Sequence, residues 1–244
     1  MGKQEPAENT DAAKKKGTNH NAIIALILIL VGLGVLLYPV VATQWNNYNQ
    51  SRAAEEYAKL EKQAPPEVLH TAWEEAQAYN AGLGQISIGD AWTTTDNEDS
   101  PEYQRYRQYL SVLSETDAMG RIVIPSIDSD LPIYHGTSEK ALSRGAGHLY
   151  GTDLPVGGVG DGEGRHAALS AHTGLQNATL WDNLTKVKKG DAFYIAAGGE
   201  KLKYEVHDIR VVEPADTSLL HREPGQDLVT LITCTPYGVN THRL

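Results

Sequence analysis

Only one cysteine, Cys234, occurs among the 244 residues, so the chain cannot close a disulfide within itself. Positive charge is also short: 21 Lys and Arg face 31 Asp and Glu, for a formal net charge of -10. That balance argues against a general nucleic-acid binder, and the one obvious basic cluster, Lys14 to Lys16, sits at the extreme N-terminus. Phenylalanine appears once, against 4 Trp and 12 Tyr, which favours clefts and surfaces that use amphipathic rings. The glycine-rich stretch Gly157 to Gly164 lacks the Lys and Ser or Thr that a phosphate loop needs, and reads as a surface loop. No metal site or cofactor is expected. His166 and His172 lie on one extended run, about 20 Å apart at strand rise, with no cysteine or carboxylate cluster to join them.

What is present begins with a change of character at residue 22. Residues 1–21 are polar, without apolar periodicity, and are expected to be a disordered cytoplasmic tail. From Ala22 to Ala42 no charged residue occurs, a length that suits a membrane-crossing helix. The preceding lysines put the N-terminus inside and everything after Ala42 outside. A cleavable signal peptide has the same polarity, but the run exceeds the usual signal core of about 7–15 residues, which favours a retained anchor.

Residues 43–118 read as an extracellular helical region. Trp45, Tyr48, Ala53, Tyr57 and Leu60 recur at helical spacing until Pro65 and Pro66, and a second amphipathic pattern runs from Glu67 to Asn80. Gly82 to Asp99 is loop-like, and Pro101 to Leu113 reads as a third helix with a tyrosine-rich face. Residues 119–244 change texture to short β-branched runs broken by Gly, Pro and Asp. The strand candidates are Arg121–Ile124, Leu131–Tyr134, His166–Ala171, Ala192–Ala196, Leu202–Val212 and Leu228–Cys234, which suggests a sandwich or a closed barrel.

The organising stretch is VTLITCTPYGVNTHRL, residues 229–244. Its turn formers Pro236, Gly238 and Asn240 predict a hairpin. If the strands pair symmetrically about the bond between Gly238 and Val239, Cys234 falls opposite Arg243, with Cβ atoms about 4.5–5.5 Å apart. Positive charge there favours thiolate over thiol, and a planar donor fork suits an oxyanion forming beside the sulfur. A lone cysteine is more often a small buried hydrophobe, but an unpaired one in an exported chain points to a reactive thiol. His172 ends the run RHAALSA and precedes Thr173 and Gly174, a strand-to-loop exit of the kind that presents catalytic side chains.

LSAHTGL, TLITC and the Arg of GVNTHRL together resemble the sortase family of Gram-positive cell-surface transpeptidases, over about half the chain, from IVIPSIDSDLPIYHG to the end. The resemblance implies an eight-stranded β-barrel, mainly β, preceded by the helical region and the transmembrane helix. It implies the catalytic set His172, Cys234 and Arg243, with Thr233 and the regions Ser143 to Leu149 and Asp208 to Leu220 along the substrate groove. DLPIYHGTS and GAGHLYGTDLPVGG resemble the class C, pilin-polymerising branch. There Asp90 and Trp92 match the acid and aromatic of a lid, although Ala91 stands where proline is usual. The implied partners are pilin or surface proteins bearing an LPxTG-like motif, an acceptor lysine of another pilin, and the cell membrane, with the catalytic domain extracellular. The alternatives are a housekeeping sortase that anchors proteins to the cell wall, and a non-catalytic adhesive barrel. Sortases continue past the arginine strand, so the resemblance also implies that the sequence ending at Leu244 is cut short, before a second membrane helix in some members.

Overall fold

A computed structural model describes residues 20–84, 99–159 and 162–244. The chain divides into two compact units, Met1–Pro39 and Val40–Leu244. Helix α1 spans His20–Gln63, so the apolar run and the helix expected after it form one continuous element. Among the described residues this is the one helix long and apolar enough to cross a membrane. Leu28, Ile29 and Leu36 there are 65%, 65% and 76% exposed, so this apolar stretch is not buried against the rest of the described chain.

Within the second unit the helices start where their sequence dictates. Pro66 opens α2 (Pro66–Gly82) at a position whose missing N–H costs nothing. Ser100 caps α3 (Pro101–Ser111), its Oγ accepting the Tyr103 N–H at 3.1 Å, with Pro101 and Glu102 in the first turn. Continuing from α1, Gln50, Ala54 and Tyr57 are the buried residues. The inward face is therefore rotated from the expected one, and Trp45, Tyr48 and Leu60 are exposed. Polar side chains take the contact instead, as described below.

Nine strands follow among the described residues: β1 Gly120–Ile124, β2 Ser129–His135, β3 Ala146–His148, β4 Arg165–Ser170, β5 Ala192–Ala197, β6 Glu200–Glu205, β7 Asp227–Ile232, β8 Cys234–Thr235 and β9 His242–Arg243. A four-residue helix α4, Glu139–Leu142, lies between β2 and β3. Seven strands form one sheet in the order β6-β5-β1-β2-β3-β4-β7, and β8 and β9 form a separate ribbon. The eight-stranded barrel is thus realised as a nearly closed seven-stranded sheet whose last strand runs through Thr233 into the ribbon. Strand β4 is buried over Arg165–Leu169, as befits a strand between two neighbours in the centre of the fold. Its edges, β6 and β7, are joined by side chains: Tyr204 Oη donates to the Asp227 carboxylate at 3.2 Å. Burial pushes the Asp227 carboxyl above its usual range.

The strand expected over Leu202–Val212 stops at Glu205. One residue further the pairing with the β5 side persists, Gly190 N–H donating to Val206 O and Val206 N–H to Asp191 O, and after Val206 the chain leaves the sheet. Strand β3 had no signal of its own, since three small or polar residues carry no alternation.

The helices and the sheet share one core, in which Ala72, Ala76, Tyr106 and Tyr109 pack with Ile122, Ile133, Leu169, Trp181 and Ile195. Buried polar groups fasten the layers. The Asn80 amide imitates a strand partner, donating to Leu154 O at 2.9 Å and accepting from Leu154 N at 2.7 Å. His148, fully buried, bonds Asp153 O through Nε2 at 2.7 Å and Tyr109 Oη through Nδ1 at 3.0 Å. Because the carbonyl can only accept, Nε2 carries the proton and Nδ1 accepts from the tyrosine. Burial pushes the His148 pKa down to about 4, and pushes His135 and His166 down as well.

These shifts have a definite sign. Above the ordinary histidine value both folded and unfolded states are neutral and the groups contribute nothing to pH dependence. Below it the unfolded chain takes up protons that the folded chain refuses, so stability falls. From His148 alone the expected loss between pH 7.5 and pH 5 is about 2 kcal/mol, with His135 and His166 adding in the same direction. Asp227 and Glu61, raised by burial, oppose them. The direct check is NMR titration, in which the His148 ring should stay neutral through pH 5; a ring titrating near its ordinary value would contradict the buried network.

Candidate active site

Strands β8 and β9 pair antiparallel, with Cys234 opposite Arg243 and Thr235 opposite His242. This is the register that symmetric pairing predicts. The connecting turn is closed by Val239 N–H and Asn240 N–H, both donating to Pro236 O, at 3.0 and 2.9 Å. Asn240 takes a φ of 61°, a conformation that asparagine tolerates better than most residues. On its other side the Arg243 backbone exchanges two hydrogen bonds of 2.9 Å with Val212. Arg243 is therefore a central position between two chain segments. Its Nη1 donates to Asn240 O at 3.4 Å and His242 O at 3.1 Å, and no carboxylate lies within ion-pair distance among the described residues. Cys234 is a free, half-buried thiol.

His172 reaches the same place through the sheet. Strands β4 and β7 run parallel, with Ser170 beside Ile232 as their last pair. The contact continues one residue further, as Ala171 N–H donates to Ile232 O at 3.1 Å and Thr233 Oγ1 to Ala171 O at 2.8 Å. The next residue on each strand end is His172 on one and Cys234 on the other. Beyond them the loops also meet: at Gly174, with φ of 77°, a Cβ would lie 3.5 Å from Gly238 N in the cysteine turn.

The histidine loop is held from several sides. Trp181 N–H donates to His172 O at 3.1 Å. Asp182 Oδ1 accepts from Thr173 Oγ1 at 3.0 Å and Gly174 N at 2.7 Å. On the ring, Nε2 lies 3.4 Å from Glu139 Oε2, at the start of α4. A proton on Nε2 facing that carboxylate leaves Nδ1 as the nitrogen free to exchange protons with a substrate or with sulfur. Neither Asp182 nor Glu139 carried a signal in the sequence, since each is identified only by what it touches.

Arg243 also borders a cavity of about 570 Å³ between the edges β6 and β7. Leu228 to Ile232 form one wall, Phe193, Tyr204 and Val206 another, and Val212, Leu219 and Leu220 a third. Its size suits an extended peptide segment. Leu149 and several residues between Asp208 and Leu220, from the segments expected along a groove, line it. Thr233 is 2% exposed and its hydroxyl is spent on Ala171 O, so it joins the strand ends carrying His172 and Cys234. Asp90 and Trp92 lie outside the described residues. No cluster of metal-ligating side chains occurs among the described residues.

A thiol, an imidazole and a guanidinium brought to one end of a nearly closed β-sheet define a class, that of cysteine-dependent acyl-transfer proteins. The chain belongs to the sortase family, whose Sortase domain matches residues 122–244; the family's members are cysteine transpeptidases. Among solved structures it is similar to sortase C-1 from Actinomyces oris, with 50% identity and a TM-score of 0.65 over 72% of this chain and 94% of that one. It is similar also to Sortase C of Streptococcus pneumoniae, with 38% identity and a TM-score of 0.66 over 79% of this chain and 92% of that one. Sortase A of Bacillus anthracis is 29% identical over 54% of this chain, which spans only 59% of that protein's length.

Proposed function

We propose that the protein is a pilin-polymerising cysteine transpeptidase acting at the outer face of the membrane. The observation that carries the reading is the placement of Cys234 opposite Arg243 on the ribbon, with His172 at the adjoining strand end. In the first step the Cys234 thiolate attacks the threonine carbonyl of an LPxTG-like sorting signal. The C–N bond to glycine breaks, His172 gives its proton to the departing amine, and a thioester remains on sulfur. Arg243 faces the oxyanion of the tetrahedral intermediate. In the second step a lysine amine of another subunit attacks the thioester carbonyl, the C–S bond breaks, and His172 takes the amine's proton. An isopeptide bond joins the two subunits and the thiolate is regenerated.

The pilin reading is supported by the sortase C relatives, one of which is described in terms of pilin substrate specificity, and by the helices packed into the catalytic core. Likeness to a Sortase A favours the second reading, in which the acceptor is a cell-wall amine. Incubation with an LPxTG-type peptide should add the mass of the acyl fragment to Cys234, detected on the intact protein. Absence of that adduct would overturn the transpeptidase reading. Supplying pilin alone should then give a ladder of covalent polymers; transfer only to a cell-wall amine would assign the housekeeping role instead.

A further inference from the structure

The loop that leaves His172 does not end its contacts at Asp182. Residues 176–179 lie against α1, at the turns that directly follow the apolar run in sequence. Thr43 Oγ1 donates to Gln176 O at 3.1 Å and Asn46 Nδ2 to Asn177 O at 2.7 Å. The Asn47 amide makes a reciprocal pair with Thr179, donating from Nδ2 to Oγ1 at 2.9 Å and accepting the Thr179 N–H on Oδ1 at 3.1 Å. Positions 43, 46 and 47 share one helical face, so one polar stripe reads three points of one loop. Two of its bonds go to backbone carbonyls and one comes from a backbone N–H, which fixes the path of the loop as well as its side chains.

We propose that this stripe is a positioning element for catalysis, in which Asn47, assisted by Asn46 and Thr43, holds the 173–181 loop and through it the His172 imidazole. The proposal rests on the transpeptidase reading for its kinetic consequence, while its structural consequence stands apart from it. The loop is fastened at one end by Trp181 and Asp182 and in its middle by α1. Between those points Ala178 is 3% exposed and Trp181 fully buried, so the segment has little freedom while all the contacts hold. Release of the α1 contacts frees residues 173–179 to move, and misplacement of a catalytic group by about 1 Å can cost ~100-fold in rate. The first helical turns after the membrane-crossing stretch are thereby part of the catalytic apparatus as well as a tether.

The test uses the full chain in a lipid nanodisc, with Asn47→Ala, Thr179→Ala, the pair together, and the conservative Thr179→Ser. Amide hydrogen exchange over residues 173–181 should accelerate about tenfold or more in Asn47→Ala and stay near the parent rate in Thr179→Ser. The kcat for transfer from an LPxTG-type peptide should fall about five- to fiftyfold in Asn47→Ala with KM within twofold, the pair should be no worse than the poorer single variant, and Thr179→Ser should retain most activity. Unchanged exchange over the loop in Asn47→Ala would overturn the proposal whatever the kinetics. Faster exchange with undiminished kcat would overturn the catalytic role, and so would a kcat loss accompanied by an equal rise in exchange throughout the sheet. A parent protein inert toward the peptide would refute the transpeptidase reading, while the exchange data would still decide whether the stripe holds the loop.

Discussion

Replacing Arg243 with Ala is expected to slow formation of the Cys234 thioester about 10²–10³-fold, the usual cost of removing one donor to a developing oxyanion. The geometry explains why the loss should be chemical rather than structural. Arg243 is held by its backbone, paired across the ribbon with Cys234 and doubly bonded to Val212, and alanine preserves those bonds. Among the described residues its guanidinium is engaged only through Nη1 with two carbonyls, so donors remain for an oxygen forming beside the sulfur. No carboxylate among the described residues competes for them. Arg243→Lys should recover only part of the loss, because an ammonium supplies charge without the planar fork. The measurement is the single-turnover rate of adduct formation with an LPxTG-type peptide, together with the thermal midpoint of each variant. A rate within threefold of the parent for Arg243→Ala would remove the guanidinium from the mechanism.

The hairpin that carries this prediction was legible in the sequence because its information is local. Pro236, Gly238 and Asn240 fix where the chain turns, and once the turn is fixed, pairing by symmetry puts Cys234 opposite Arg243. The β5 strand was legible for a similar reason, as the apolar run Ala192–Ala197 is bounded locally by Gly190 and Asp191 before it and Gly198 and Gly199 after it. Helix α1 shows the limit. Its length could be read from apolar run and periodicity, but its inward face could not, because Asn46 and Asn47 meet a loop more than 130 positions away. The exposed Trp45 and Tyr48 looked like the better candidates for packing only while that loop was unseen. Strand β3 was invisible because Ala146, Gly147 and His148 owe their strand state to partners on β2 and β4, not to themselves. The histidines teach the same lesson. The sequence names no partner for the rings of His135, His148 and His166, yet each is buried or nearly so and bonded on its ring.

The largest effect on folding should come from Asp153, a residue to which the sequence drew attention only as part of a longer motif. Its side chain is 2% exposed, and its two oxygens serve two other parts of the chain, β4 and the loop before β7. Arg222 approaches with Nε 2.8 Å from Oδ2 and Nη2 2.6 Å from Oδ1. The His166 backbone N–H, on β4, donates to Oδ2 at 2.8 Å, and Arg165 Nε stands 3.9 Å from Oδ1. Arg222 extends the network to α2, donating from Nη2 to Asn80 O at 2.6 Å. One carboxylate therefore joins the segment after β3, the start of β4, the loop before β7 and the end of a helix. Removing the buried carboxylate that both guanidiniums approach costs more than the bonds themselves, because Arg165 and Arg222 each lose a buried counter-charge, although Arg222 keeps Glu163 at 3.3 Å; breaking such a buried pair costs about 3–5 kcal/mol. Against a total of roughly 5–15 kcal/mol for a folded protein, Asp153→Ala is expected to leave the catalytic unit barely stable. Asp153→Asn, which keeps the shape and one acceptor oxygen, should fall between the parent and alanine forms. Urea unfolding of the three proteins at neutral pH measures the difference. A loss below about 1 kcal/mol for the alanine form, within the range of an ordinary exposed ion pair, would show that water replaces the carboxylate and that the join between helix and sheet is carried by apolar packing and the Asn80–Leu154 bonds.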